Sequence, residues 1–340
     1  MVYKYDFLII GSGIAGMSYA LKVARANKGK ICMICKTSLD EANTSFAQGG
    51  VASVTNLEVD NFDKHIQDTM IAGDYISDYK AVKQVVEKAP EQIKELVEWG
   101  TNFDKMQDGR FDLHREGGHS EFRILHHADD TGAEIQRALM AAVRANPNID
   151  ITKQMIPVRP AAHYMCGGIQ VDLNGQSSIQ RLYALGECSC TGLHGGNRLA
   201  SNSLIEAVVY ADAAAKHSIE HVNDYDFNEK VPRWNDEGTL TNEEHVLITQ
   251  ANKEVGEIMA NYVGIVRSDL RLKRAWDRLD LLYEETESLF KRVKVSRDLC
   301  ELRNMINVGY LITRMAIERK ESRGLHYTVD YPHHAYDKKN

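Results

Sequence analysis

The chain begins with an apolar run, which a glycine-rich turn joins to a helical segment. Phe7–Ile10 predicts a buried β-strand, and an alanine- and leucine-containing segment predicts a helix that continues to about Asn27. Between them, Gly11, Gly13 and Gly16 have the G-x-G-x-x-G spacing. Such glycines allow a sharp turn, close approach of the backbone to a pyrophosphate, and close packing of helix on strand. Because a helix N-terminus also attracts phosphate, the stretch predicts a dinucleotide site; the alternative is an ordinary glycine-rich turn.

Further apolar runs that alternate with helical patterns predict an α/β fold with a parallel sheet. Lys30–Cys35 reads as the second strand, and Asn148–Thr152 as a third parallel strand after a helix over Ala133–Ala145. Leu182–Leu185 predicts another buried strand, which ends in a Gly-Glu pair at Glu187. Open α/β sheets bind ligands at the carboxyl ends of their strands, so Glu187 is a candidate contact; the alternative is an ordinary acid close to a helix.

The C-terminal part of the chain has a different pattern. Its periodicity from Thr241 to Lys320 is helical and predicts a bundle of three helices, whereas the pattern weakens from about His217 to Trp234. We therefore expect a Rossmann-like dinucleotide-binding domain over residues 1–220, a linker over 221–240, and a helical domain with a tail over 241–340.

Composition and charge narrow the classes of function. The 340 residues are 43% hydrophobic and 26% charged, which is typical of a globular protein. A net charge of -7 gives no electrostatic reason to expect nucleic acid as a partner. No apolar run approaches the roughly 20 residues that span a bilayer, and the N-terminal run reads as a strand rather than as a signal peptide. We therefore expect no membrane partner and a cytoplasmic location.

The six cysteines do not predict a metal or redox centre. Cys32 and Cys35 have C-x-x-C spacing but lie on the predicted second strand, which favours small buried side chains over a redox pair. Cys188 and Cys190 have no matching second pair, so they do not predict a zinc site.

Several polar loops could carry chemistry. Gln48, Gly49 and Gly50 suit a loop packed on a flat cofactor ring, although a tight turn before a strand is the alternative. Leu113–Ser120 places one acid, one arginine and two histidines around a Gly-Gly turn, which without further context is more often a solvated loop. Arg198 follows a Gly-Gly turn and offers a planar fork for a carboxylate, the alternative being a surface arginine.

Two further positions belong to the candidate site. One is the start of the last helix of the first domain, and the other is the strand end where the adenosine ribose of a cofactor is expected. Ser203-x-x-Glu206 predicts a capping box at the start of a helix over Leu204–Lys216. At the strand end where a ribose-binding carboxylate is expected, the sequence has Cys35-Lys36-Thr37, which leaves the ribose contact open.

Together these motifs resemble the succinate dehydrogenase/fumarate reductase flavoprotein family, and within it the members that oxidise L-aspartate. The resemblance implies FAD, held noncovalently, because members that tether the flavin have a histidine in the loop where this chain has Thr44, Ser45 and Phe46. The cofactor contacts that it implies are Gly11, Gly13, Ile14, Ala15, Gly16, Lys36, Thr44, Ser45, Ala47, Gln48, Gly49, Gly50, Glu187, Asn202, Ser203 and Leu204.

The resemblance also implies a reaction, the oxidation of L-aspartate, or a related C4 dicarboxylate, to iminoaspartate as the first step of NAD biosynthesis. Glu116 is then expected to accept from the substrate ammonium, and Arg198 and His163 to contact its carboxylates. Dioxygen or fumarate is the expected oxidant, and quinolinate synthase the expected recipient of the product. A histidine before a glycine turn is common, so His163 rests on the resemblance alone.

The chain departs from this family in its middle. Members continue with a β-meander and an inserted capping domain that carries a catalytic arginine, whereas here the sequence resembles the family as two blocks, about 1–152 and 155–340. Three hypotheses follow: an aspartate-oxidising flavoenzyme impaired by the missing segment, a succinate or fumarate oxidoreductase, and a truncated flavin-binding scaffold without catalysis. Glu116 speaks against the second, since a dicarboxylate without an ammonium meets a like charge there.

Overall fold

The computed structural model describes residues 3–35, 42–151, 164–227, 230–241 and 245–335, and the chain forms two compact units, residues 1–227 and 228–340. The first unit combines short strands with five helices among its described residues. These elements are β1 Phe7–Ile10, α1 Ile14–Ala26, β2 Ile31–Ile34, β3 Val51–Ala52, α2 Phe62–Ala72, α3 Tyr79–Glu98, β4 Leu113–His114, β5 Ile124–Leu125, α4 Thr131–Ala145, β6 Ile149–Ile151, β7 Ile169–Gln170, β8 Ser189–Cys190 and α5 Asn202–Glu220.

A small parallel sheet carries the glycine turn. Its strand order is β1-β2-β6, with Phe7 beside Ile31 and Ile31 beside Ile149, so the predicted strand–helix–strand unit and third parallel strand are confirmed. Helix α1 packs against α4 and α5, and the core of the unit lies between these helices and the buried face of the sheet. The carboxyl end of β1 therefore leads into the glycine turn, and α1 begins directly after that turn.

The opposite face of β1 is open. Phe7 and Ile9 are 6% exposed, whereas Leu8 and Ile10, whose side chains point the other way, are 61% and 78% exposed. The strand predicted over Leu182–Leu185 is wrong: in this stretch only Tyr183 forms an isolated bridge, with Gln176.

The local hydrogen bonds explain why that strand does not form. Ser177 N–H donates to the Leu182 carbonyl, and Ala184 N–H donates to the Gly175 carbonyl, so the segment folds back on itself. Gly186–Cys188 then forms a 3₁₀ turn. Backbone groups that are paired within this turn cannot extend the sheet beside β1.

The remaining sheets and helices of the first unit position the polar loops. Strands β3, β5 and β4 form an antiparallel sheet in the order β3-β5-β4, and β7 pairs in parallel with β8. Helix α3 is continuous through Pro90 and is capped by the Asp78 carboxylate. None of the helices within the described ranges is long and apolar enough to cross a membrane.

The second unit contains the three helices that the sequence predicts. They share one apolar core, and two short strands pair in parallel beside them. The elements are α6 His245–Tyr262, β9 Val266–Arg267, α7 Asp269–Arg292, α8 Arg297–Glu318 and β10 Tyr327–Thr328. Cys32 lies on strand β2, where the sequence predicts it.

Because one face of β1 is open, substitutions of Ile9 and Ile10 are predicted to differ sharply in their effect on the free energy of unfolding. Ile10→Thr should change the free energy of unfolding by less than about 0.5 kcal/mol, because its side chain already contacts water. Ile9→Thr, the matched variant on the buried face, should cost roughly 2–4 kcal/mol through lost packing and a buried hydroxyl. Urea unfolding of both variants measures the difference, and equal costs would mean that the Ile10 face is covered in solution.

Candidate functional site

The glycine turn has the geometry that a dinucleotide phosphate requires. Gly11 has φ +112°, and a Cβ on Gly16 would lie 2.2 Å from the Gly11 carbonyl oxygen, so neither position tolerates a side chain without strain. Gly13 precedes α1 in an extended conformation and has no side chain to cap it, and the first turn of α1 contains no acidic residue. The positive end of α1 therefore carries no competing carboxylate from its own first turn, and the residues fit a bound pyrophosphate.

The loop predicted to face a flavin lies against the N-termini of two helices. Thr44 Oγ1 accepts from Ile14 N–H at 3.0 Å, which ties the loop to the first turn of α1. Gly132 N–H, in the first turn of α4, donates to the Ala47 carbonyl at 2.9 Å. A Cβ on Gly50 would lie 2.3 Å from the Leu125 carbonyl oxygen, so the end of the loop packs directly on β5. Gln48 between these anchors is exposed and available to a ligand.

Glu116 lies between this loop and the start of α5. Its Oε1 accepts from Gly50 N–H at 3.3 Å, and its Oε2 accepts from the Ser201 hydroxyl at 2.5 Å. The carboxylate is half-buried, with its orientation fixed by both partners. Sequence reasoning did not identify Ser201; only a contact between segments 85 positions apart reveals it.

A buried guanidinium holds the loop that carries Glu116. The Arg123 side chain is fully buried and donates to both carboxylate oxygens of Asp60 at 2.8 Å and to Asp68 at 2.5 Å. Ser120 donates to Asp68 through its N–H and its hydroxyl, each at 2.8 Å. Burial opposes ionisation of Asp68, but the hydrogen bonds from Ser120 and Arg123 outweigh it and lower the pKa of that carboxyl. His119, in the same loop, pairs with the Ala200 carbonyl at 2.9 Å.

Helix α5 does not begin with the capping box that the sequence predicts, so this prediction is wrong. The helix begins instead on a buried polar cluster. The Asn202 side chain pairs with His65 at 2.9 Å and donates to Thr69 at 3.0 Å, both on α2. Ser203 instead accepts from Arg198, and Glu206 is buried and accepts from the Thr191 hydroxyl and pairs with His194. The buried Glu206 carboxylate needs these hydrogen-bond donors, so it does not accept from the backbone at the start of α5.

Arg198 is held beside the start of α5. Its Nη1 donates to the Ser203 hydroxyl at 3.2 Å, and its guanidinium lies 5.4 Å from the centre of the Tyr164 ring. The Tyr164 hydroxyl donates to Glu206 at 3.2 Å, and burial raises its pKa. Tyr164 is a second residue that sequence reasoning missed. The preceding residue, His163, which the resemblance implies as a substrate contact, lies outside the described residues.

Glu187 lies at the other end of the site, close to the first turn of α1. Its Oε2 accepts from the Asn43 side chain at 3.0 Å, and its Oε1 accepts from Met165 N–H at 3.1 Å. A Cβ on the preceding Gly186 would lie 3.2 Å from the Ala15 side chain. Glu187 thus lies beside the glycine turn, although the strand that was predicted to end at this residue does not form. Lys36, the other predicted contact near the ribose, lies outside the described residues.

These features are those of a dinucleotide-binding protein, and comparison with known families identifies it as an FAD-binding flavoprotein. The family model described as "FAD binding domain" matches residues 6–155 and 144–204, and "Fumarate reductase flavoprotein C-term" matches residues 252–339. The chain belongs to the succinate dehydrogenase/fumarate reductase flavoprotein family and is a flavin-dependent oxidoreductase with FAD as its cofactor.

Individual relatives cover most of the chain. It is 30% identical to L-aspartate oxidase 2-b of Nicotiana tabacum, over 97% of this chain and 81% of that protein. It is 29% identical to L-aspartate oxidase of Vibrio cholerae, over 97% of this chain and 96% of that protein. In structure it resembles FrdA of E. coli quinol fumarate reductase, with a TM-score of 0.85 and 20% identity over 98% of this chain and 92% of that one, which shows the fold alone.

The same comparisons bear on the predicted missing segment. The alignment with the Vibrio cholerae protein spans 517 positions, whereas this chain has 340 residues, so at least 177 aligned positions have no residue here. The "FAD binding domain" model matches in two pieces that meet at residues 144–155. This is the region where the sequence departs from the family, and its last residues, 152–155, lie outside the described residues.

The glycine turn predicts a substitution that separates cofactor binding from folding. In Gly13→Ala the new Cβ would lie 3.4 Å from Thr44 Oγ1, an ordinary contact, and the extended backbone accepts alanine. The methyl group would, however, occupy the space through which a pyrophosphate approaches the turn. We expect the variant to fold normally and to bind FAD at least tenfold more weakly, measured by flavin fluorescence titration.

The matched control for this substitution is Gly256→Ala, at an exposed position in α6 with no atom within 4 Å of the new Cβ. This variant should bind FAD as the unaltered protein does. Unchanged affinity in Gly13→Ala would place the pyrophosphate elsewhere.

The buried His65 predicts that stability depends on pH. Burial, aided by the charge of Arg123, lowers the pKa of His65 to about 3 in the folded protein, against roughly 6.5 when unfolded. The unfolded chain therefore binds more protons between these values, so stability is fully present above pH ~6.5 and is lost as the pH falls toward ~3. One such histidine contributes a slope of about 1.4 kcal/mol per pH unit.

Urea unfolding between about pH 7 and 5 tests this dependence. His65→Gln keeps a hydrogen-bonding group near Asn202 but does not titrate, so the free energy of unfolding should fall less steeply with pH. His245→Gln, at an exposed histidine in α6, serves as the control and should retain the full slope. A His65→Gln slope equal to that of the unaltered protein would contradict the role of His65.

Proposed function

We propose that this chain, with FAD bound at the glycine turn, oxidises L-aspartate to iminoaspartate as the first step of NAD biosynthesis. The observation that carries the proposal is the position of Glu116, whose carboxylate bridges Gly50 of the loop and Ser201 at the start of α5. A substrate that lies between these two elements meets a negative charge suited to an ammonium group. The relatives named L-aspartate oxidase support the same assignment.

The chain's own residues are suited to bind and orient a dicarboxylate that carries an ammonium. Arg198 offers its guanidinium fork to a carboxylate, with Ser203 and the Tyr164 ring limiting its rotation. His163 is proposed to contact the other carboxylate. Glu116 retains lone pairs beyond its two protein partners and can accept from the ammonium.

The N-terminus of α5 is proposed to favour negative charge that develops on the cofactor. When bound, FAD supplies the two-electron acceptor that none of the protein side chains provides. We further propose that dioxygen or fumarate serves as the final oxidant, that the reaction is cytoplasmic, and that iminoaspartate passes to quinolinate synthase.

Two observations favour a second candidate, an FAD-binding protein without catalysis. At least 177 positions of the alignment have no residue in this chain, and Leu8 and Ile10 on β1 are exposed. A lid that excludes water completes many active sites of this kind. A chain that has lost such a segment could keep its cofactor and lose turnover.

An anaerobic absorbance experiment separates the two candidates. The purified protein is saturated with FAD, and L-aspartate is added without oxygen. Bleaching of the flavin bands would support oxidation, whereas bands that persist would support binding without chemistry. The experiment uses binding and reduction as separate readouts, so a failure to hold FAD is distinguishable from a failure to react.

The proposed role of Glu116 predicts how its substitution changes the preference of the enzyme for L-aspartate over succinate. Glu116→Gln removes the charge that meets the ammonium, so kcat/KM for L-aspartate should fall roughly 10- to 100-fold, the equivalent of one charge-assisted hydrogen bond. Turnover of succinate, if present, should not fall, because succinate meets less repulsion in the variant.

The matched control is Glu121→Gln, in the same loop, where the carboxylate pairs with Lys64 at 2.6 Å instead of facing the site. Its kcat/KM should stay close to that of the unaltered enzyme. A Glu116→Gln enzyme with undiminished preference for aspartate would assign selectivity to another residue.

A further inference from the structure

A cluster of metal-ligating side chains lies outside the flavin site, on the sheet that carries the Glu116 loop. One ligand atom each from Asp112, His114 and His126 lies within 4.8 Å of the other two. His114 is on β4, opposite Ile124 of the antiparallel strand β5, and His126 follows β5 directly. The pairing of β4 with β5 therefore brings together residues that are 12 positions apart in the sequence.

The His126 imidazole is an independent sign of a ligand. The residue is 7% exposed, and neither ring nitrogen has a hydrogen-bond partner among the described residues. The Asp112 carboxylate lies 3.9 Å from Nε2, too far for a hydrogen bond but close to the separation of two ligands on one metal ion. Because buried polar groups are nearly always satisfied, an imidazole in this state calls for a partner.

The chemistry of the three groups selects a class of cation. Two imidazoles and one carboxylate suit Zn²⁺ and neighbouring transition metals, whereas Mg²⁺ and Ca²⁺ prefer oxygen ligands. The rings of His114 and His126 are stacked, with centroids 3.6 Å apart, so coordination requires one ring to turn. His114 is exposed and has room to do so.

A second carboxylate occupies the position that commonly supports a metal-bound histidine. Asp104 Oδ2 lies 3.3 Å from Nδ1 of His126, and Ala128 N–H donates to the same oxygen at 2.8 Å. The present geometry does not make a hydrogen bond, but a turn of the ring would let Nδ1–H donate to this carboxylate, which would fix the tautomer and leave Nε2 for the metal. Asp104 is also held through its backbone, since its N–H donates to the His126 carbonyl.

We propose that Asp112, His114 and His126 bind a divalent transition-metal ion, with Zn²⁺ as the first choice and Asp104 as the positioning residue for His126. The ion cross-links β4 to the residue that follows β5. Glu116 comes two residues after His114. The metal therefore anchors the strand from which the Glu116 loop departs, without taking part in the flavin site.

The test is a titration of the chelator-treated full-length protein with ZnCl₂, followed by calorimetry. We expect one Zn²⁺ per chain, and no binding of Mg²⁺ at the same concentrations. His114→Ala and Asp112→Asn remove ligands, so each should weaken Zn²⁺ at least tenfold, and Asp104→Asn should weaken it roughly 10- to 100-fold. Neither His114 nor Asp112 is buried, so these two variants are expected to fold, which circular dichroism checks.

A second pair of stacked histidines provides the matched control. The rings of His217 and His221 have centroids 4.2 Å apart on the C-terminal part of the first unit. His221→Ala should leave the affinity and the stoichiometry of Zn²⁺ unchanged. Zn²⁺ binding that survives His114→Ala and Asp112→Asn, or that disappears in His221→Ala, would overturn the proposal, as would the absence of Zn²⁺ binding to the unaltered protein.

Absorbance of Co²⁺ provides a spectroscopic readout that a change of stability would not produce. Co²⁺ bound at the proposed ligands should give visible bands that are lost in His114→Ala and retained in His221→Ala. Bands with the same intensity in all three proteins would place the metal at other ligands. Neither experiment requires FAD, so its outcome is separate from the proposed oxidation of aspartate.

Discussion

The structure of the candidate site depends on one buried ion cluster. Arg123 is completely buried, and its guanidinium is neutralised by Asp60 and Asp68, with both oxygens of Asp60 engaged. Removal of one partner from such a cluster typically costs about 3–5 kcal/mol, because a charge is then left buried without compensation. The cluster fixes the loop between β4 and β5 on α2. Since that loop contains Glu116, the orientation of this proposed substrate contact depends on a side chain that does not itself touch Glu116.

The same helix, α2, links the cluster to the cofactor side. His65 and Thr69 hold the Asn202 side chain where α5 begins, while His119 and Glu116 contact the residues just before it. Ser201, at this junction, has φ +64°, a strained conformation for a residue with a side chain. The N-terminus of α5 is therefore positioned by several independent contacts. Such over-determination is what preorganised electrostatic sites require, because donors that are already in place need not reorganise during the reaction.

One face of the parallel sheet in the first unit is open. β1 is at the edge of the sheet order, and its Leu8 and Ile10 side chains contact solvent, whereas a parallel sheet normally has both faces covered. The glycine turn is unaffected, because Gly11 and Gly16 contact each other within the strand–helix unit itself. The geometry of the glycine turn therefore does not depend on what covers the open face of the sheet.

The sequence by itself determined the local elements. The strand–turn–helix with Gly11, the third parallel strand and the three C-terminal helices follow from periodicity and glycine spacing, which act within a few residues. It did not determine which apolar runs join the sheet: Leu182–Leu185 has the composition of a strand, but its backbone pairs within a local turn. Nor could it reveal the partners of Glu116, or that the buried His126 imidazole makes no hydrogen bond among the described residues, because these depend on contacts between distant segments. Only the tertiary structure decided them, since the burial of polar groups and the choice of their partners are properties of the packed chain.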